Sequence, residues 1–251
     1  MSELIVRCDD FGLTQGCSLG ILRALENSCI SSVGVIVNTG VRSDDARSLA
    51  AHEGISIGLH VNVVAGKPVS SSTLNSGLVD DEGNFFPSRR YRTSEVDLID
   101  VDEIEAEAQA QVNKFQGLFG MLPAYIDCHS VGTPHVDEGL NRVAKRIGVP
   151  YVDFTLTSLR EHSCIYAPDL PNNMVYDSYD PLHFLMSGES GILTHEKTFV
   201  VFHPAFLDEI LMGISSLREG RMKDQAALSS PSLKKWLDDN GVMLRPIGIG
   251  C

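Results

Sequence analysis

No apolar run in this 251-residue sequence approaches the ~18 residues that a membrane-crossing helix needs. Basic residues are scarce, with 20 Lys plus Arg against 33 Asp plus Glu and a net charge of −13 at pH 7. Such a chain repels nucleic acid and anionic membrane surfaces, so neither is expected as a partner. The one basic cluster, Arg89-Arg90-Tyr91-Arg92, is too short to reverse that and reads as a solvated loop. The sequence also lacks a CxxC pair: Cys8, Cys17, Cys29, Cys128, Cys164 and Cys251 are scattered, as reduced thiols of a cytoplasmic protein would be. The apolar stretch after Met1 is short and broken by Arg7, Asp9 and Asp10, so no signal peptide is expected.

With 43% hydrophobic residues the chain can bury a large core. It contains no repeat, low-complexity tract or linker, and it reads as one domain over residues 1–251. Apolar β-branched runs alternate with stretches of helical spacing, the pattern of a parallel sheet with crossover helices. Strands are predicted at Leu4–Arg7, Ser32–Val37, Ser56–Val61, Tyr125–Cys128, Tyr151–Asp153, Thr198–Phe202 and Val242–Pro246. Helices are predicted at Leu19–Asn27, Ser43–Ala51, Val101–Phe119, Val136–Ile147 and Pro231–Asn240. The expected fold is therefore α/β, a distorted (β/α) barrel of about seven parallel strands. Two stretches without periodicity, residues 65–91 and 156–194, read as walls of a binding site. The acidic run Asp102-Glu103-Ile104-Glu105-Ala106-Glu107 reads as a complement to a helix dipole.

Chemistry concentrates where strands are expected to end. Ile5-Val6-Arg7-Cys8 runs into Asp9-Asp10-Phe11-Gly12, two adjacent acids followed by a glycine. Either acid alone could cap the helix that starts near Thr14 or Ser18. Three further elements end the same way, at His60, at Asp127-Cys128-His129 and at His203-Pro204. In a parallel barrel those ends converge on one face, where Asp10, His60 and His129 could meet around one divalent ion. One carboxylate and two imidazoles suit Zn²⁺, Fe²⁺, Ni²⁺, Co²⁺ or Mn²⁺, and Mg²⁺ if water completes its shell. A shell with open positions is that of a hydrolytic centre. Cys8 and Cys128 lie beside these acids and read as small buried strand residues.

These motifs carry a resemblance. Asp9-Asp10-Phe11-Gly12 with Gly16, Gly58-Leu59-His60-Val61-Asn62 with Gly66-Lys67-Pro68-Val69, Ile126-Asp127-Cys128-His129, and Phe202-His203-Pro204 resemble, in order, the motifs of the YdjC-like carbohydrate deacetylase family, which includes the chitooligosaccharide deacetylases. The resemblance implies a barrel related to that of the polysaccharide deacetylases, one divalent metal with Mg or Zn foremost, and removal of an acetyl group from an N-acetylated amino sugar. It implies Asp10, His60 and His129 as ligands, Asp9 as general base, and His203 as general acid or oxyanion partner. It also favours a homodimer, the commonest closed assembly. Asp127, two residues before His129 on the same strand face, reads as a support that orients an imidazole.

The sequence departs from the family at His129-Ser130-Val131-Gly132-Thr133-Pro134-His135, where relatives place further histidines close together. His135 is a supporting candidate there. Ala205 replaces a usual glycine after the late His-Pro, and both changes flank the expected sugar pocket, leaving the sugar open. Two other functions compete. A metal-dependent isomerase or aldolase would need another catalytic group, and Lys67 reads as part of a turn. A non-catalytic sugar or metabolite sensor would not need Asp9 beside the ligand set. Arg221 and Asp224 read as a surface ion pair, and Tyr176, Tyr179 and Trp236 as packed aromatics. No role attaches to His52, His162, His183 or His195.

Overall fold

The structure is a computed structural model that describes residues 2–153, 164–166 and 180–248. Its first half runs β1 (Glu3–Phe11), α1 (Gln15–Leu25), β2 (Ser32–Val35), α2 (Ser43–Ala50), β3 (Ser56–Val61), α3 (Ser88–Arg92), α4 (Val101–Phe119), β4 (Ile126–Cys128) and α5 (Pro134–Ile147). Then follow β5 (Cys164–Tyr166), α6 (Pro181–Met186), β6 (Lys197–Phe202), α7 (Glu209–Ile214), α8 (Glu219–Leu228), α9 (Pro231–Asp239) and β7 (Met243–Leu244). His162, Tyr176 and Tyr179 lie outside the described residues.

The strands pair in the order β4-β3-β2-β1-β6-β5, and every ladder is parallel. β7 joins the foot of β1, with Glu3 opposite Met243 and Leu4 opposite Leu244. No ladder among the described residues joins β4 to β5, so the architecture is α/β with a curled parallel sheet. Residues 151–153, predicted as a strand, contribute a single bridge from Tyr151 to Ile126. A short segment after a helix-ending glycine, Gly148 at φ 75°, turns there and makes no ladder.

Alternation along β1 sorts its side chains between two faces. Leu4, Val6 and Cys8 belong to the main core, with Ile21 and Ala24 of α1 and Val112 and Phe115 of α4. On the other face Ile5 packs with Tyr125, Val152, Phe199 and Ile247 as a plug inside the curl. Arg7 and Asp9 stand above that plug. Glycines make the space: a Cβ at Gly58 would come within 2.3 Å of the Tyr125 ring, and one at Gly34 within 2.6 Å of Asp9 Oδ1.

Cap chemistry sets the helix ends. Thr14 and Thr133 accept from the backbone amides of Cys17 and Val136, and Gly120 in the left-handed region closes α4. The stretch 65–91 contains a 3-10 turn at Thr73–Asn75 and leads into the short helix α3, which takes up Arg89-Arg90-Tyr91-Arg92 where a solvated loop was expected. The acids of α4 serve that stretch. Glu107, fully buried, accepts from the amides of Val69 at 2.9 Å and Ser70 at 3.0 Å, and Glu103 accepts from Gly77 at 3.1 Å. They satisfy loop amides, a role beyond the helix dipole.

Candidate metal centre

A defect in β1 brings both adjacent acids to one place. Cys8 pairs with Val33 and Phe11 with Val35, so three steps along β1 match two along β2, the signature of a bulge. Within it Asp10 takes φ 75°. The strand thus extends to Phe11, beyond the expected end at Arg7, and the extra residue turns Asp10 inward beside Asp9 instead of to the opposite face.

Register supplies the next pair. His60 on β3 lies opposite Asp127 on β4, and their Nδ1 and Oδ1 atoms are 3.0 Å apart. The carboxylate accepts the Nδ1 proton, which turns Nε2 toward the neighbouring groups. Asp127 therefore orients His60, whereas strand alternation had linked it with His129. His129, placed by its amide on Val61 O, brings Nδ1 to 3.2 Å from His60 Nε2 and 2.8 Å from Asp10 Oδ1. His60 Nε2 is 3.5 Å from that oxygen.

One oxygen and two nitrogens, within 4.8 Å of one another, thus converge from the ends of three strands. Asp10 Oδ1 is buried and accepts no well-aligned hydrogen bond. The O, N, N donor set fits a divalent cation. Asp10, His60 and His129 would hold it.

The guanidiniums are the residues that sequence reasoning missed. Arg7 lies 2.8 Å from Asp9 Oδ2 and 2.8 Å from Asp127 Oδ2, linking the expected base to the carboxylate that orients His60. Arg221 lies 2.7 Å from Asp10 Oδ2, leaving Oδ1 for the cluster. Asp224 accepts from the His203 amide at 2.9 Å. Arg221 and Asp224 are therefore not a surface pair. Both are buried on α8, which clamps the ends of β1 and β6 together. Arg7 had a signal in the sequence, a charge on the strand face shared by Ile5 and Asp9.

Protonation follows from these contacts. Burial alone would raise the Asp10 carboxyl, but His129 and Arg221 outweigh it and hold it well below its ordinary value. For Asp127, Arg7 and His60 likewise overcome burial and lower it. Burial pushes the His60 imidazole down, yet Asp127, Asp9 and Asp10 together raise it to about 9. At His203 burial prevails over Asp10 and, with Arg221, lowers the imidazole to about 4.

Two expectations fall outside the cluster. His135 sits in the first turn of α5, half exposed, with Nδ1 2.6 Å from Ile99 O and its amide on Asp97 Oδ2. Ala205 is fully buried, and a Cβ at Gly20 of α1 would lie 2.4 Å from its Cα, so it packs against that helix. Trp236 packs against the main core, and Cys8, Cys17, Cys29 and Cys128 are buried and free, as expected.

Asp127 gives a direct test of the geometry. With Asp127→Ala, His60 loses its orienting acceptor, and divalent-metal affinity measured by calorimetry should fall about 10–100-fold. An unchanged affinity would show that His60 needs no partner to face the cluster.

A curled parallel α/β sheet with an Asp-His-His cluster at its strand ends defines a class of barrel-like proteins that can hold a divalent cation. Within that class, the chain belongs to the YdjC-like protein family, whose model matches residues 3–239. It is similar to a carbohydrate deacetylase of Listeria monocytogenes, 30% identical over 251 residues that cover 96% of each chain. Among solved structures it is similar to a putative cellobiose-phosphate cleavage protein of Enterococcus faecalis, with a TM-score of 0.78 at 20% identity, covering 98% of this chain and 97% of that one. A peptidoglycan N-acetylglucosamine deacetylase shares the fold more distantly, with a TM-score of 0.52 at 13% identity over 98% of this chain and 86% of that one.

Proposed function

We propose that this protein is a divalent-metal-dependent hydrolase that removes an acetyl group from an N-acetylated amino sugar or oligosaccharide. The observation that carries the reading is the convergence of Asp10 Oδ1, His60 Nε2 and His129 Nδ1 beside an acid, Asp9, that stands outside the ligand set. The relatives named carbohydrate deacetylases, matched along 96–97% of the chain, supply the substrate class. The reading takes the chain as one domain over residues 1–251 on a distorted (β/α) barrel, acting in the cytoplasm as a homodimer. No helix among the described residues is long and apolar enough to cross a membrane.

When bound, Mg²⁺ or Zn²⁺ supplies Lewis acidity that polarises the amide carbonyl and acidifies water. The protein does the rest. Asp9, held at 2.8 Å by the Arg7 guanidinium, takes the proton of the attacking water as general base. His203 hands a proton to the amine as the C–N bond breaks, because an amide nitrogen is a poor leaving group until protonated. Its imidazole rests neutral at pH 7, so it must first gain a proton: Asp9 gives up to solvent the one it took from the water as His203 takes one up, which leaves both groups as they began once the amine has left. Asp224 fixes the His203 backbone, and Arg221 keeps Asp10 ionised and turned toward the two imidazoles.

Elemental mass spectrometry on protein purified without chelator tests the first half of this reading. About one divalent ion per chain is expected, and the His60→Ala/His129→Ala double variant should carry almost none. Acetate release from N-acetylated sugars tests the second half. A wild-type protein that takes up no ion after incubation with zinc, magnesium, manganese, cobalt or nickel would overturn the hydrolase.

A further inference from the structure

His129 is followed by a strained turn that a distant part of the chain holds shut. Ser130 has φ 63°, one of three non-glycine residues described at positive φ, and the Val131 amide donates back to His129 O at 2.8 Å. An i to i+2 bond across a residue at positive φ is a γ-turn of the rare, strained hand. Side chains rarely adopt that region without outside support. The support is visible. Arg92, the last residue of α3, donates from Nε to Ser130 O at 2.9 Å. Two more contacts tie the same two segments together: the His135 amide on Asp97 Oδ2 at 2.9 Å, and His135 Nδ1 on Ile99 O at 2.6 Å.

We infer that Arg92 is a positioning residue: by fixing the Ser130 carbonyl it keeps the γ-turn closed and so aims His129 Nδ1 at Asp10 Oδ1. The inference rests on the proposed metal centre but concerns the chain's own backbone. His129 also donates its amide to Val61 O, which sets its height on the sheet, and Cys128 Sγ lies 3.9 Å from its carbonyl oxygen; neither contact reaches the Ser130 carbonyl that Arg92 holds. Released from Arg92, Ser130 returns to negative φ and the imidazole swings with the backbone. Binding the cation then has to restore the strained turn, and affinity falls by that cost. The sequence offers no sign of this, because Arg92 and Ser130 are 38 residues apart. It gives a role to the arginine that ends α3 and reaches across to the loop after β4.

The test uses Co²⁺ alone, titrated into the full chain and followed by calorimetry and by its visible absorption, which reports the coordinating atoms. Arg92→Ala should weaken Co²⁺ binding about tenfold while the midpoint of metal-free thermal unfolding stays near that of the unaltered chain. Arg92→Lys, which keeps a donor, should recover part of the loss. Ser130→Gly should bind normally, since glycine takes positive φ freely. In that background Arg92→Ala should then cost much less than it does beside serine. Equal binding by Arg92→Ala and the unaltered chain, or an equal loss in both backgrounds, overturns the inference and leaves the metal centre standing. Failure of the unaltered chain to bind Co²⁺ overturns both.

Discussion

Asp9→Asn should bind as much divalent metal as the unaltered protein and release acetate roughly 10²–10⁴-fold more slowly, the range associated with losing a positioned general base. The substitution keeps the shape of the side chain and the acceptor oxygen that Arg7 grips at 2.8 Å. It removes the negative charge and the capacity to take a proton. Metal should stay because Asp9 contributes no atom to the Asp10, His60 and His129 set. Asp10→Asn makes the contrast: it weakens a ligand, so metal content should drop and activity with it. Metal analysis beside acetate release separates the two acids. Loss of metal from Asp9→Asn, with retention in Asp10→Asn, would show that their roles are reversed.

Much of this site is legible in the sequence because its ligands come from strand ends, where a period of two and a terminating glycine mark position. Converging strand ends suggest Asp10, His60 and His129 as one group, and the structure gathers them, with Asp10 turned inward by a bulge that the period does not show. What the pattern leaves open is which neighbour each group touches. The link from Asp127 to His60 depends on the register between β3 and β4, and a shift of one residue would move Asp127 to the other face. The helical contribution is less legible still. Arg221 and Asp224 are three residues apart and so share a face of α8, but nothing local says that the face is buried. The contact from Arg221 to Asp10 spans 211 residues and exists only through tertiary packing. Glu107 and Gln111, an i, i+4 pair, hide in the same way: Gln111 pairs with both backbone groups of Asn62 while Glu107 holds the next turn of the loop.

His135 shows the converse case. His135 lies six residues after His129 in a family whose histidines cluster there, so sequence proximity made it a candidate. The helix that starts at Pro134 carries it away from the strand end and onto the Ile99 carbonyl. β5 fails for the opposite reason. Three residues of strand are too short a run to show a period.

Arg7→Met should be the most damaging single change to stability, by about 3–5 kcal/mol, because it leaves buried carboxylates without their counter-charge. Arg7 sits between Asp9 and Asp127 at 2.8 Å from each, with all three side chains less than a tenth exposed. Methionine matches the stem of the arginine but lacks the guanidinium that lies over the Phe199 ring, 5.3 Å from its centroid, so the loss is that of the charge and its contacts. For a chain of this length the melting midpoint should fall on the order of 10 °C. A compensating change then identifies the cause. In Arg7→Met/Asp127→Asn one uncompensated charge is gone, and the double variant should be more stable than Arg7→Met alone even though it carries two lesions. Arg7→Lys should fall between, since an ammonium keeps the charge but cannot present two parallel N–H groups to two acids. Thermal unfolding of the metal-free proteins measures all three without reference to catalysis. If Arg7→Met melts within a degree or two of the unaltered chain, the bridge contributes nothing to the fold, and the neutralisation of Asp9 and Asp127 must come from another source.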